Sequence, residues 1–216
     1  MNTYDFKQYS PEWWAIRRGL PTASEAHRIV TPAKGELSKS ADAFAYELLA
    51  QPYDPQYGVM DGYVSDAMKN GSLMEPEARA CYEFQRNAKV HQVGFCTTDD
   101  GRAGCSPDAL IGNDGGLECK SPAPKTHIEY LMNGGLPVEY KPQVHWSMIV
   151  TGRNWWDFMS YTRGLPSLIV RVEADEYTEK VRAAMLDFLD KLDTMRAKLR
   201  AMVGDMPVVP EKEFVF

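Results

Sequence analysis

Ser106–Lys120 reads SPDALIGNDGGLECK, and the way this stretch folds decides the rest of the chain. Apolar runs at Ala103–Ile111 and Leu117–Ser121 flank the turn formers GNDGG, the pattern of a β-hairpin. Alternate residues of a strand face opposite sides, so Leu117 and Cys119 point into a core while Glu118 and Lys120 share the other face. Asp108 lies one hairpin away. Two carboxylates and an ammonium in one patch, with the Cys119 carbonyl as a further oxygen donor, suit Mg²⁺, which keeps several waters and accepts phosphate as a ligand. The chemistry implied is metal-assisted phosphodiester hydrolysis. Lys120 fits the role of orienting a water, because Glu118 and Asp108 raise rather than lower an ammonium's pKa. On the hairpin alone, an exposed turn with an ordinary Glu–Lys pair is the favoured reading, since D-x₉-E-x-K is short enough to arise by chance.

Outward from the hairpin, Val90–Cys96 reads as another strand, separated from Ala103–Ile111 by TTDDG. KPQVHWSMIVTG predicts a helix with Pro142 in its first turn, and Trp155–Tyr161 and Ser167–Val172 predict two further strands. Toward the N-terminus, Ser10-Pro11-Glu12 opens a helix that stops near Gly19, and Thr22-Ala23-Ser24-Glu25 fits a capping box for a second helix toward Val30. Ala41–Ala50 predicts a helix with Phe44, Leu48 and Leu49 on one face, QPYDPQYG a loop, and Val64–Asn87 a long helix with a break near Gly71. A closing helix runs from Asp175 to Met202. Its heptad seam, Val181, Met185, Phe188, Leu192, Met195, Leu199 and Met202, suits packing on its own sheet and, less readily, self-association. Helices, three strands, a helix, two strands and a helix give an α/β or α+β chain: a central mixed β-sheet flanked by helices, in one domain over residues 1–216.

Composition limits the function classes. In 216 residues, 44% are hydrophobic and 25% charged, a balance that supports a folded core. No apolar run reaches the roughly 18 residues of a membrane span, and the N-terminus lacks a signal-peptide pattern, so an intracellular protein is expected. Cys81, Cys96, Cys105 and Cys119 form no CxxC pair and read as reduced, buried thiols. A net charge of −6 disfavours nucleic-acid binding by bulk attraction. It leaves room for a local basic surface: Arg17, Arg18, Arg28, Lys34 and Lys39 face only Glu25 and Glu36 across residues 17–39.

Five segments in order change the weight of the hairpin. CSPDALIGNDGGLECKSP resembles the active-site hairpin of the phage lambda exonuclease family, the YqaJ-type viral alkaline exonucleases within the PD-(D/E)xK nuclease superfamily. WWAIRRGLPTASEAHRIV resembles the family's W-x₃-R-x-G-x₂-T-A-S-E opening, and NGSLMEPEARACYEF its helix with a glutamate after a glycine. PQVHWSMIVTGRNWWDF is similar to its glutamine-bearing helix and the strand that follows, and supplies the last two segments.

The resemblance implies a restriction-endonuclease-like nuclease core. Asp108, Glu118 and the Cys119 carbonyl are then metal ligands, Lys120 is the catalytic lysine, Glu75 completes the acidic cluster and Gln143 helps fix the centre. Arg17, Ser24 and Ser106 match the residues that bind a terminal 5′-phosphate. Lys34 falls in the DNA-channel loop, and Met68 near the apolar wedge that separates the strands. Read without the resemblance, Glu75 is a helix-surface acid, Gln143 an early-helix polar residue, Ser24 a helix cap, Arg17 half of a surface ion pair and Met68 a core residue. The expected activity is Mg²⁺- or Mn²⁺-dependent, with two ions per site. It digests one strand of linear duplex processively, 5′ to 3′, from phosphorylated ends, and leaves a 3′ single strand for phage-type recombination. The expected partners are duplex DNA ends, two further copies in a ring-shaped homotrimer and a single-strand annealing protein. The expected location is the cytoplasm of a bacterial host. The rivals are an endonuclease or RecB/Cas4-like nuclease of the same superfamily, and a non-catalytic DNA-end-binding module.

Overall fold

The computed structural model describes residues 1–54, 57 and 66–204, the side chains of 66–72 excepted. A five-stranded mixed sheet carries the hairpin, in the order β2 (Val90–His91), β5 (Ala109–Ile111), β6 (Gly115–Lys120), β7 (Trp155–Ser160) and β8 (Leu168–Glu173). Only β6 and β7 run parallel; the other neighbours are antiparallel. A parallel pair needs a crossover connection, and here it holds α5 (Pro124–Asn133) and α6 (Lys141–Thr151). A second, three-stranded antiparallel sheet is ordered β1 (Asn2–Tyr4), β3 (Phe95–Thr97) and β4 (Gly104–Cys105).

Strand alternation sends the two faces of the large sheet to different helices. Leu117 and Met159 pack with Ala78 and Tyr82 of α4 (Asp66–Arg86), and Cys119 packs against the same group. On the other face, Trp156 joins Val144, Trp146 and Val150 of α6 and Phe188 of α7 (Glu176–Val203) in the larger core. α2 (Ala26–Ile29) and α3 (Ala41–Ala50) add Ile29, Phe44 and Leu48 to that core, and Phe44 stacks on Phe188 at 6.2 Å.

The hairpin forms, with a shorter turn than its glycines suggest. Gly115 and Gly116 belong to β6, and only residues 112–114 turn. Both glycines sit under tryptophans of β7: a Cβ would fall 2.0 Å from the Trp155 ring at Gly115 and 2.3 Å from the Trp156 ring at Gly116. They admit a neighbouring side chain rather than a bend.

α1 (Pro11–Arg17) starts as expected, with Ser10 Oγ accepting from the Trp13 N–H. The capping box at Thr22 does not form. Ala23–Glu25 is a 3-10 turn and only Ala26–Ile29 is α-helical, because the Thr22 hydroxyl is engaged by Arg17 instead. Val90–Cys96 divides between the two sheets, and so does Ala103–Ile111, with Pro107 and Asp108 at the second crossing. α4 runs through Gly71 unbroken; Val64, where it was expected to begin, lies outside the described residues. The loop expected at QPYDPQYG starts with a 3-10 turn, Gln51–Tyr53. Neither β1 nor α5 was anticipated: β1 carries no strong sequence signal, whereas α5 does, with Pro124 at its start and Gly134 as a left-handed C-terminal cap at φ 67°. Along α7, Val181, Met185, Phe188 and Leu192 are buried in the core, whereas Met202 is exposed, so the seam serves chiefly the chain's own packing.

Candidate active site

The hairpin brings Asp108, Glu118 and Lys120 together. Asp108 Oδ2 accepts from the Cys119 backbone N–H at 2.5 Å, which ties the residue just before β5 to the C-terminal end of β6. Glu118, only 4% exposed, takes the Lys120 ammonium on Oε1 at 2.6 Å. Gln143, in the first turn of α6, donates Nε2 to the same oxygen at 2.6 Å. The Lys120 ammonium also lies 5.2 Å from the centre of the Tyr140 ring. Among the described residues these bonds use one oxygen of each carboxylate and leave Oδ1 of Asp108 and Oε2 of Glu118 for a cation.

Electrostatics follow from crowding. Burial, followed by the charges of Glu118 and Glu75, holds the Asp108 carboxyl well above the usual carboxylate range. Burial would depress the Lys120 ammonium, but Glu118 and Asp108 more than offset it and the group stays above its ordinary value. Lys120 is therefore a cation that can orient a water or a phosphate oxygen, and a poor base. Glu75 lines the same cavity as Asp108, although its own carboxylate is paired with Arg79 one turn along α4.

A buried Asp108 whose proton affinity is raised by burial and by the neighbouring acids favours a bound cation. Among the described residues no three His, Cys, Asp or Glu side chains are gathered closely enough to enclose an ion. An ion here would complete its shell from the Cys119 carbonyl, water and substrate oxygen, a donor set that fits Mg²⁺ or Mn²⁺ and not zinc. The four cysteines are free thiols, with Cys96 and Cys105 buried and Cys81 and Cys119 half-buried.

A second cluster lies beside the first. Arg17 spreads its fork over three hydroxyls: Nη1 donates to Ser106 Oγ at 3.2 Å, and Nη2 donates to Thr22 Oγ1 at 3.1 Å and to Ser24 Oγ at 3.3 Å. The guanidinium stacks 4.1 Å from the centre of the Trp13 ring, while Trp13 Nε1 donates to Ser106 Oγ at 2.9 Å. No described carboxylate forms an ion pair with Arg17, its Nε is buried without a partner, and burial pulls its pKa down. A partly desolvated cation held only by hydroxyls is a site for an anion. Ser24 contributes its side chain from the 3-10 turn, not the N-terminus of a capped helix.

The remaining expected residues stand apart. Lys34 is exposed on the loop between α2 and α3, with no described contact to either cluster. Met68 lies on α4, and its side chain is outside the described residues. Of the other basic residues in 17–39, Arg28 is paired with Glu25 and Glu47. Trp13 and Thr22 were not singled out as site residues, although both stand in the W-x₃-R-x-G-x₂-T-A-S-E segment. Trp13 precedes Arg17 by one helical turn, the spacing that puts two side chains on one face.

The architecture has counterparts among known proteins. Residues 12–154 match the YqaJ-like viral recombinase domain, and the chain belongs to that family, of the lambda exonuclease type. The crystal structure of LHK-Exo in complex with dAMP is 31% identical, with a TM-score of 0.76 over 89% of this chain and 97% of that one. A second structure of LHK-Exo, an alkaline exonuclease from Laribacter hongkongensis, is 30% identical, with a TM-score of 0.70 over 89% of this chain and all (100%) of that one. A phage-related exonuclease from Haemophilus somnus 129PT shares the fold at 13% identity, with a TM-score of 0.60 over 83% of this chain and 96% of that one. No curated protein sequence matches. No described helix is long and apolar enough to cross a membrane.

Proposed function

We propose that this chain is a metal-dependent exonuclease of phage-type recombination. It digests one strand of linear duplex DNA from 5′-phosphorylated ends, 5′ to 3′ and processively, and leaves a 3′ single strand for an annealing partner. One observation carries the reading: Ser106, in the Arg17 cluster, and Asp108, in the acidic cluster, are two residues apart on one strand crossing. Their backbones are therefore no more than about 7 Å apart, a separation on the scale of one nucleotide. A terminal phosphate on Arg17, Ser24, Thr22 and Ser106 sets the next phosphodiester against Asp108, Glu118 and Lys120. A mononucleotide is then the natural product. LHK-Exo has been solved with dAMP, a molecule of that class.

Each residue has a part in this scheme. Arg17 binds the terminal phosphate through its fork, and the hydroxyls of Ser24 and Ser106 fill out the pocket. Asp108 and Glu118, with the Cys119 carbonyl, hold Mg²⁺ or Mn²⁺. The metal, as two ions per site, supplies charge stabilisation at phosphorus and a more acidic water. Lys120 orients the attacking water in line with the departing 3′-oxygen. Gln143 fixes the Glu118 carboxylate so that its free oxygen keeps one direction. Glu75, braced by Arg79, adds negative charge at the cavity edge. An acidic chain holds DNA best by enclosing it, which favours a ring of three copies with DNA in the channel.

The test is nucleotide release with Mg²⁺ from linear duplex with and without 5′-phosphates, beside closed circles. Release from phosphorylated ends, abolished by EDTA and by Lys120→Ala, is expected. Cutting of closed circles would assign an endonuclease, and end binding without release a non-catalytic module. A solution mass of one copy at working concentration would remove the ring.

A further inference from the structure

A cavity of about 470 Å³ opens beside the acidic cluster, bounded by the strap Asp5–Tyr9, by His91–Gly94 and by Glu75 and Asp108. The strap lies outside the segment that matches the family, which begins at residue 12. It is nonetheless built firmly onto the site. The Gly94 N–H donates to the Tyr4 carbonyl at 2.9 Å, and the Phe6 carbonyl lies so close that a Cβ on Gly94 would fall 1.8 Å from it. Gln8 Nε2 donates at 3.3 Å to the carbonyl of Pro107, the residue between Ser106 and Asp108.

Tyr9 is the unexpected member of this wall. It sits in a turn closed by the Ser10 N–H on the Lys7 carbonyl, at φ 66°, a left-handed position where glycine or asparagine is usual. Such a conformation in a bulky residue marks a place where side-chain direction matters more than backbone ease. The residue is 43% exposed, its ring lies 5.0 Å from the Trp13 ring, and it lines the same cavity as Asp108. Tyr9 is thus held between the hydroxyl-lined Arg17 cluster and the paired acids.

We propose that this cavity receives the nucleoside of the 5′-terminal nucleotide, and that the Tyr9 ring is the platform on which its base stacks. The inference rests on the reading above, which places the terminal phosphate at Arg17 and the scissile phosphate at Asp108. The nucleoside between them then spans Ser106–Asp108, alongside the strap. A cavity of this size suits one nucleoside. An aromatic platform also suits an enzyme that must accept every sequence, because each base has a π-face and stacking needs no hydrogen-bond code.

The experiment compares 5′-phosphorylated duplexes whose terminal nucleotide carries a natural base or is abasic, with release of the first nucleotide read as kcat/KM. Wild type is expected to favour the natural end about tenfold, the scale of one base–aromatic stack. Tyr9→Phe keeps that preference. Tyr9→Asn, which tolerates the left-handed backbone, loses about tenfold on the natural end and no longer distinguishes the two. Its melting temperature, compared with wild type, separates this loss from misfolding. Discrimination by Tyr9→Asn equal to wild type, or none by wild type, overturns the proposal while leaving the exonuclease reading intact. Absence of any metal-dependent release from natural phosphorylated ends by wild type overturns that reading, and the subsite with it.

Discussion

Gln143 reaches across from α6 to donate 2.6 Å to Glu118 Oε1, the oxygen that also holds Lys120. One oxygen of a buried carboxylate is thereby saturated, and the other has a fixed direction. Gln143→Ala removes the brace without touching a charge. The expected result is a fold that melts near wild type but needs more Mg²⁺ for half-maximal release. A fall of about 10- to 100-fold in metal affinity or activity is usual when a partner of a metal ligand is lost. An unchanged Mg²⁺ titration would show that Glu118 is held by its strand and Lys120 alone.

Much of this arrangement was legible in the chain because it depends on local periodicity. Strand alternation put Glu118 and Lys120 on one side, and Pro142 marked the first turn of α6, since both effects act over a few residues. What escaped depends on contacts distant in sequence. Thr22 resembles a helix cap in every local respect, yet its hydroxyl is taken by Arg17. Gly115 and Gly116 read as a turn because nothing nearby reveals that Trp155 and Trp156 lie over them. Asn2–Tyr4 is a strand only because β3 is there to pair with it. Tyr9 gave no signal, since a left-handed turn ordinarily announces itself by glycine.

The strap over the cavity is open to a steric test at Gly94. A methyl group there would collide with the Phe6 carbonyl, which belongs to the backbone and cannot rotate aside. Gly94→Ala is expected to displace residues 5–9, with a stability loss of about 1–3 kcal/mol, as for other overpacked sites. Limited proteolysis should cleave the first nine residues faster than in wild type, and release of the first nucleotide should slow. Equal protection of the strap in the two proteins would show that it yields without cost.

His145 gives a pH signature apart from catalysis. The ring is 1% exposed, with Nδ1 2.8 Å from Thr178 Oγ1 and 3.8 Å from Asp175 Oδ1, the Tyr177 ring at 4.7 Å, and Nε2 buried without a partner. Burial outweighs the Asp175 carboxylate, with Lys141 adding to it, and the imidazole pKa falls to about 4. An unfolded histidine titrates near 6.5, so between these values the unfolded chain binds the extra proton. Stability from this group is complete above pH 6.5 and declines as pH drops toward 4. At pH 5 the loss relative to neutral pH is on the order of 2 kcal/mol. Urea unfolding at pH 7 and pH 5 should show a smaller drop in His145→Gln than in wild type, and parallel pH dependence would remove the assignment.

Arg17→Lys isolates what the fork contributes at the anion cluster. The substitution keeps the positive charge but replaces a planar group that reaches Ser106, Thr22 and Ser24 from two nitrogens with a single ammonium. It also loses the flat face packed on Trp13. If Arg17 holds a terminal phosphate, charge alone will not restore selectivity. The variant is expected to digest non-phosphorylated ends at nearly the wild-type rate while losing tenfold or more of its preference for phosphorylated ones. Arg17→Gln, which removes the charge as well, should lose the preference entirely. Paired kcat/KM values on the two kinds of end measure this directly, and a preference unaltered in Arg17→Lys would move the phosphate site elsewhere.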